Sequence, residues 1–300
     1  MSLNLLRLIT IVFTAVTLIV IGDTAGKLLG QAGVEPFVVA WSRFAIGVLL
    51  VLPFCGLTRA DLPSFKDWRV VFRGALITAA ICCILTALTT EPIANVFGAF
   101  FIGPVISYIL AILFLGERPS GRRSVMLAVG FLGVMLVVKP GFGASIGMVF
   151  ALAAGCLHGT YLVMTRVTAT SIRPRFLLFS QLAIGAVVLT PIGVSLPMPF
   201  PVLEPDWYLA WLIVLSALGS ALGNYMLVIA NKQAEASLIA PLIYTKLISA
   251  TVLGIIVFGD WPDLIALAGL ILILTSGIGS LFFSQTKPAA AQAGGAATGR

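Results

Sequence analysis

The chain has 300 residues, of which 60% are hydrophobic and only 10% are charged, and its mean hydropathy is +1.12. A soluble fold cannot hide that much apolar surface, and a disordered chain would be poor in apolar residues and rich in charge. The net charge of +7 comes without a clustered basic face, so a nucleic-acid partner is not expected. The composition predicts an integral membrane protein whose surroundings are the lipid bilayer.

Apolar runs of about 20 residues, long enough to cross the hydrocarbon layer, recur along the chain. Their length and the lack of strict alternation favour helices over barrel strands. The fold class is therefore all-α, with ten predicted transmembrane helices at residues 7–27, 37–57, 69–90, 93–115, 124–139, 146–166, 175–195, 207–230, 237–258 and 263–283. Residues 286–300 are rich in small residues and are predicted to be a disordered tail.

The loops predict the orientation, because cytoplasmic loops carry an excess of Lys and Arg. With a cytoplasmic N-terminus, most of the 18 Lys and Arg residues fall in inner segments, including Arg73 near the start of the third span, whereas the outer loops keep only Lys139. Both termini are therefore expected in the cytoplasm.

The two halves of the chain resemble each other. WSRFAIGVLLVLP at 41–53 matches FSQLAIGAVVLTP at 179–191, Trp68 matches Trp211, and LGERP at 115–119 matches FGDWP at 258–262. Five spans in each half turn the second copy upside down, which predicts an inverted repeat with 1–140 as the first copy and 141–285 as the second. Inverted repeats commonly support alternating access; the alternative is that duplication supplied only a compact bundle.

Three ionisable residues lie towards the outer ends of the first two spans. Asp23 and Lys27 share one face of a helix, and Arg43 enters from the same side at similar depth. An ionisable group at membrane depth normally faces a cavity or a partner, so these residues are candidates for an outer gate. Alternatively, Lys27 and Arg43 only extend to the outer headgroups, and Lys27 pairs with Asp23.

Polar residues in the middle of the second half are candidates for the wall of a substrate cavity. Lys246 lies deep in the ninth span beside Tyr244, where a lysine reaches neither headgroup layer. His158 and Tyr161 are one turn apart in the sixth span, and Asn224 lies in the eighth. A neutral histidine that only bonds to a neighbouring helix is the alternative for His158.

Prolines and glycines mark places where helices break or approach closely. Pro104 and Pro241 each remove a backbone hydrogen bond inside a span, which is typical of the broken helices at transporter sites. Small residues at Gly-x-x-x-Gly spacing allow close helix packing, and three such pairs occur: Gly22/Gly26, Gly155/Gly159 and Gly219/Gly223.

The chain offers no pattern for a cofactor, a metal or catalysis. Four cysteines, Cys55, Cys82, Cys83 and Cys156, lie in apolar runs without the spacing of a zinc site or a disulfide framework. One His and one acid within the spans cannot supply a metal site, and nothing in the chain could bind a nucleotide. An enzyme is therefore not expected.

Taken together, several of these features resemble the EamA-type members of the drug/metabolite transporter superfamily. The features are Lys27 ending the first span, Arg43 in WSRF, the run from Pro104 to LGERPSGRR, and Gly130 and Gly133 in the fifth span. The ninth and tenth spans look much like the bacterial branch. Lys246 stands where many relatives carry an uncharged polar residue, and Asp260 stands in place of the more usual Glu.

The resemblance implies a secondary transporter of the bacterial inner membrane that moves a small-molecule substrate by alternating access. Export of amino acids, including aromatic ones, is the expected activity. Uptake of S-adenosylmethionine or an organic cation, or facilitated diffusion, is the alternative. A monomer and a homodimer are both compatible with the sequence.

Overall fold

The computed structural model describes residues 3–90, 93–117, 121–138, 145–195, 207–259 and 261–284, which form helices and short connections. By length and composition, eight helical segments within these ranges are able to cross a membrane. Large apolar side chains cover much of the outside, and Phe114 and Trp207 are 77% and 84% exposed. Lipid, rather than water, is the environment suited to such a surface.

The described residues contain twelve α-helices, which follow one another in the order α1 (Leu3–Gln31), α2 (Pro36–Cys55), α3 (Trp68–Thr90), α4 (Ile93–Phe100), α5 (Ile102–Leu115), α6 (Gly121–Val138), α7 (Ile146–Ala169), α8 (Pro174–Ser195), α9 (Trp207–Gln233), α10 (Ala236–Ile243), α11 (Lys246–Leu253) and α12 (Leu264–Ser284). A 3₁₀ helix, Arg59–Lys66, connects α2 to α3, and a π-helical turn, Gly254–Phe258, continues α11.

The observed helices differ from the predicted spans in two respects. The first helix is longer than predicted, because α1 continues past Lys27 to Gln31. The predicted spans 93–115 and 237–258 are each divided into two shorter helices. The predicted boundary at residue 140 and the tail 286–300 lie outside the described residues.

Both interruptions occur near a proline. The α4–α5 break is at Phe101, and Pro104, in the first turn of α5, has no amide hydrogen to donate to the carbonyl of Phe100. In the second half, Pro241 lies inside α10, and Thr245 bonds back to the carbonyl of Leu242 through both its amide and its hydroxyl, at 3.1 and 2.6 Å. Each break leaves a short helix on either side of a turn.

Glycines let helices from the two halves approach closely. On α1, which packs along α9, a Cβ at Gly22 would lie 2.9 Å from the carbonyl oxygen of Ser216. On α7, a Cβ at Gly155 would lie 2.5 Å from the carbonyl oxygen of Phe100, the carbonyl that Pro104 leaves without its helical donor. Gly155 thus permits α7 to pack against the broken helix, as expected for small residues at such interfaces.

Candidate functional site: a buried charge cluster beside a cavity

A partly buried acid on α1, Asp23, pairs with two cations from other helices. The carboxylate of Asp23 accepts hydrogen bonds at 2.9 Å from Nη1 of Arg43 on α2 and at 2.9 Å from Nζ of Lys246, the first residue of α11. The side chains of Arg43 and Lys246 are 3% and 7% exposed, and that of Asp23 is 18% exposed. These three residues, the Asp23 cluster, have one negative and two positive charges.

The guanidinium of Arg43 joins three helices. Its Nε donates to Oγ of Ser216 on α9 at 2.9 Å, and its Nη2 donates to the carbonyl of Gly22 on α1 at 3.0 Å. Gly26 leaves room for this group, because a Cβ there would lie 2.5 Å from Nη2 of Arg43. The Gly22/Gly26 pair therefore serves both helix packing and the seating of a buried charge.

Aromatic rings surround the ammonium group of Lys246. Its Nζ lies 5.3 Å from the ring centres of both Phe97 and Phe100 on α4, within the range of a cation–π interaction. The break before α11 places Lys246 at a helix start, and the break after α4 ends that helix beside it. Interrupted helices from both halves thus meet at the Asp23 cluster.

A cavity of about 410 Å³ lies against Asp23 and reaches the surface at the exposed residues Trp261 and Asp263. Lys27 also lines it, with its Nζ 3.8 Å from the ring centre of Phe258. Helices of both halves supply the apolar lining, which includes Val20, Leu88, Phe97, Val137 and Leu247. The volume is in the range of small-molecule sites, and the walls present both signs of charge.

The three predicted gate residues and Lys246 are brought together at this place. Arg43 and Lys246 hold Asp23, while Asp23 and Lys27 line the cavity. The alternative interpretation, in which Arg43 extends to the headgroups, is wrong, since Arg43 is 3% exposed and bonded inside the bundle. The sequence separated Lys246 from the gate residues, whereas the structure joins them through one carboxylate.

None of the predicted cavity residues lines this cavity, and Lys246 is connected to it through Asp23. Tyr244 is fully buried with its ring 5.8 Å from that of Phe101, and its hydroxyl has no hydrogen-bond partner among the described residues. Asn224 donates from Nδ2 to the carbonyl of Ser220 at 2.8 Å, while its Oδ1 has no partner in the same ranges. Both side chains lie inside the bundle, away from the cavity walls.

His158 and Tyr161 connect the Asp23 cluster to a second polar region. The His158 ring lies 5.1 Å from that of Phe100 and 5.9 Å from that of Tyr161, measured between centres. The hydroxyl of Tyr161 donates to Oε1 of Gln181 at 2.9 Å and accepts from Nη2 of Arg73 at 3.1 Å. The described part of the chain offers Nδ1 of His158 no hydrogen-bond partner.

Arg73 is a candidate functional residue that the sequence reasoning missed. The distribution of basic residues predicts Arg73 in an inner segment, yet it is 0% exposed and lies inside α3. Its position inside the predicted span 69–90 is the sequence feature that indicates burial. An arginine at that depth needs a partner, and a single sequence does not say which residues of α7 and α8 provide it.

Polar contacts also join the helix connections of the two halves. Glu117 accepts from the amide of Ala236 at the start of α10 at 3.0 Å, and Arg123 pairs with Glu235 at 2.6 Å. Asp61 pairs with Arg173 between α7 and α8. Hydrogen bonds from Thr58, led by its backbone amide, hold the pKa of Asp61 below its usual value, so this acid stays ionised at neutral pH.

The sequence matches the EamA-like transporter family twice, over residues 6–139 and 145–282. Among curated proteins, the S-adenosylmethionine uptake transporter of Rickettsia felis is 25% identical over 269 residues, which cover 88% of each chain. The riboflavin transporter of Rhizobium johnstonii is 27% identical over 256 residues, 83% of this chain and 80% of that one. A solved crystal structure superposes with a TM-score of 0.76 at 18% identity, covering 92% of this chain and 97% of the other.

Proposed function

This chain belongs to the EamA-like transporter family, and from that premise we propose that it is a secondary active transporter that moves a small amphiphilic metabolite by alternating access. The cavity beside the Asp23 cluster is the proposed cargo site. The single observation that carries the proposal is that both halves of the chain line this cavity and that its apolar walls carry Asp23 and Lys27.

An inverted repeat of two five-helix units is the proposed architecture, with residues 1–140 and 141–285 as the units. Two family matches, one in each half, support it. The helix packing also supports it. In the internal alignment α1 corresponds to α7 and α3 to α9, and the contact of α1 with α9 has its counterpart in the contact of α7 with α3. We count α6 and α12, which pack along each other, as spans that complete the ten.

The proposed location is the bacterial inner membrane with both termini in the cytoplasm. The basic inner loops support this orientation. In it, the loop that contains Trp261 faces outwards, so the cavity opens to the outside, and the contacts of Glu117, Arg123 and Asp61 close the inner end. An inverted repeat can exchange these two arrangements and so move the cargo across.

The charges in the cavity favour a cargo with an α-amino-acid group. Asp23 and Lys27 are four residues apart on α1, about 6 Å along the helix axis. Both oxygens of Asp23 already accept from Arg43 and Lys246. The Asp23 cluster together with Lys27 therefore carries excess positive charge. That charge suits the carboxylate of an α-amino acid. The remaining walls are apolar and aromatic, which suits a cargo with a hydrophobic or ring-bearing body.

Both expected cargoes, amino acids and S-adenosylmethionine, contain an α-amino-acid group. The relatives named as S-adenosylmethionine uptake transporters support uptake of such a compound over export of amino acids. Uptake of an S-adenosylmethionine-like metabolite is therefore the proposed activity, and amino-acid export is the alternative.

Counterflow in liposomes tests this proposal. Purified protein is reconstituted into vesicles preloaded with S-adenosylmethionine, phenylalanine or riboflavin, and entry of the labelled compound is followed. We expect a transient accumulation with a compound that contains an α-amino acid and none with riboflavin, which has no such group. Passive entry without accumulation would show a channel and contradict the proposal.

Lys246→Gln tests the role of the Asp23 cluster in the same assay. We expect transport efficiency to fall roughly tenfold or more, the effect of losing one charged contact. Lys232→Gln is the matched control, because Lys232 is exposed at the end of α9. Equal rates for the two variants at equal protein levels would remove Lys246 from the site.

A further inference from the structure

Arg73 is a buried cation that the proposed cargo site does not use. Its Nε donates to Oγ1 of Thr165 at 2.8 Å, and its Nη1 donates to the carbonyl of Leu177 at 2.9 Å. Its Nη2 donates to Oε1 of Gln181 at 2.7 Å and to the hydroxyl of Tyr161 at 3.1 Å. These five residues form the Arg73 cluster, which ties α3 of the first half to α7 and α8 of the second.

All four of these hydrogen bonds end on neutral oxygens. When an ion pair opens, two charges have to be separated, and a buried partner that stays behind is left uncompensated. When Arg73 leaves this cluster for water, no carboxylate is left without a partner, and the guanidinium recovers its hydration. The contact is therefore strong enough to hold helices together and suited to repeated opening.

The Arg73 cluster repeats the contact that Arg43 makes at the other end. In the internal alignment Arg43 corresponds to Gln181, and Ser216, five residues after Trp211, corresponds to Arg73, five residues after Trp68. Arg43 bonds Ser216, and Arg73 bonds Gln181, each between a helix of one half and a helix of the other. The α2–α9 contact and the α8–α3 contact are thus equivalent in the two halves. The arginine is on α2 in the first contact and on α3 in the second.

The Arg73 cluster lies away from the mouth of the cavity. Arg73 is near the start of α3, and the connections on either side of this region, the 3₁₀ helix and the turn after α7, are joined by Asp61 and Arg173. The rings of Phe100 and His158 lie between Lys246 and Tyr161, and the guanidinium carbon of Arg73 is 4.9 Å from the ring centre of Tyr161. The Arg73 cluster is therefore at the closed end of the path.

We propose that the Arg73 cluster holds the inner end of the transporter closed and comes apart each time the cargo site opens to the cytoplasm. Arg73 is a positioning residue, because it controls helix separation rather than cargo contact. The inference rests on the alternating access proposed above.

Cysteine accessibility tests it without any cargo. The four free cysteines are replaced by serine, and single cysteines are introduced at Val70, which is 0% exposed one turn before Arg73, or at Thr251, which lines the cavity. Labelling rates with a membrane-impermeant maleimide are measured in vesicles of each orientation. The variants are Arg73→Gln, which removes the cation, and Gln181→Glu, which gives it an acid.

Opposite shifts are expected from these two variants. Arg73→Gln raises labelling at Val70→Cys from the inside and lowers it at Thr251→Cys from the outside. The ratio of the two rates should change by roughly tenfold or more, because the loss of even one charged hydrogen bond has about that effect. Gln181→Glu lowers the first and raises the second, which a merely destabilised bundle would not do. Lys232→Gln, which removes an exposed cation at the end of α9, leaves both rates unchanged.

An increase at Val70→Cys without the matching decrease at Thr251→Cys would mean local loosening and would overturn the inference. The same holds if Gln181→Glu changes neither rate. If counterflow succeeds but labelling does not respond, only the role of Arg73 is lost. If labelling responds but none of the tested compounds is carried, the proposed cargo is wrong and the role of Arg73 stands.

Discussion

The carboxylate of Asp23 pairs with two buried cations, and each of its two oxygens accepts from a different one. Oδ1 accepts from Arg43, which is bonded to α9, and Oδ2 accepts from Lys246, which begins a short helix after a break. Loss of the acid would leave two positive charges close together in an apolar bundle. Loss of Lys246 would leave one complete ion pair.

Stability should therefore respond unequally to Asp23→Asn and Lys246→Met. We expect Asp23→Asn to lower the free energy of unfolding by about 3–5 kcal/mol, the usual effect of removing one partner from a buried pair. Lys246→Met should cost far less, because Asp23 keeps Arg43. Thermal unfolding in detergent measures both.

The double variant Asp23→Asn with Lys246→Met is the control, and it should be more stable than Asp23→Asn alone, because it removes one of the two stranded cations. If the two changes add without any coupling, Lys246 and Asp23 do not form the pair described here.

The sequence predicted the individual charged residues of the site more successfully than it predicted their contacts. Asp23, Arg43 and Lys246 are recognisable because a charge inside a span needs a partner. Their pairing is not, since Lys246 is 223 positions from Asp23 and its direction depends on the break before α11. For Arg73 the same rule applied, but its place near a span end concealed the burial.

Two broken helices and the glycines that pack beside them form the framework of the site. The break at Phe101 frees a backbone carbonyl, and Gly155 lets α7 cover it. On the opposite side, α1 lies against α9 where Gly22 faces the backbone of Ser216. Helix separation at these contacts is set by backbone, not by side chains.

Gly22→Ala should therefore lower the stability of the protein, whereas Gly30→Ala should not. A methyl group at Gly22 would push α1 from α9 and cost about 1–3 kcal/mol as overpacking. Gly30 is on the same helix with open space around it, and alanine there is neutral or slightly stabilising. Thermal unfolding compares the stability of the two variants. Equal stability would show that α1 and α9 are not closely packed at Gly22.

The long apolar runs predicted the helices, but not their division. Prolines 104 and 241 marked the two runs that are broken. The break at Phe101 is three residues before Pro104, because the missing bond is to the preceding turn. In the second half the break follows Pro241, at Tyr244 and Thr245, and depends on bonds from Thr245 that spacing alone does not predict.

The molecule as a whole has one end with a cavity mouth and one end where ion pairs join the helix connections of the two halves. Trp261 is at the mouth, whereas Gly121 begins α6 near Arg123, which pairs with Glu235. Gly121 and Trp261 follow corresponding helices, α5 and α11. The proposed inverted repeat requires that these two positions face opposite sides of the membrane.

Single cysteines at Gly121 and Trp261 test that requirement. We expect an impermeant reagent to label Trp261→Cys only from outside the cell and Gly121→Cys only from the cytoplasm, since both positions are exposed. Labelling of both from one side would contradict the inverted arrangement. Reagent applied to permeabilised cells, where both should react, controls for reactivity.

Family and transport were predictable from the whole sequence, because composition, loop charges and repeated motifs act over the full length. The choice between cargoes was not. It depends on which charges line the cavity, and those follow from packing between helices far apart in sequence, such as α1 and α11.

The Asp23 cluster also has an electrical consequence. Its own charges are fixed in the bundle, so a cargo without net charge would cross with little response to the membrane voltage and could run down its gradient in either direction. A sulfonium-bearing amino acid adds one positive charge, and an interior-negative voltage draws it inwards with about 2.3 kcal/mol per 100 mV. Membrane voltage alone would therefore concentrate the second compound inside the cell but not the first.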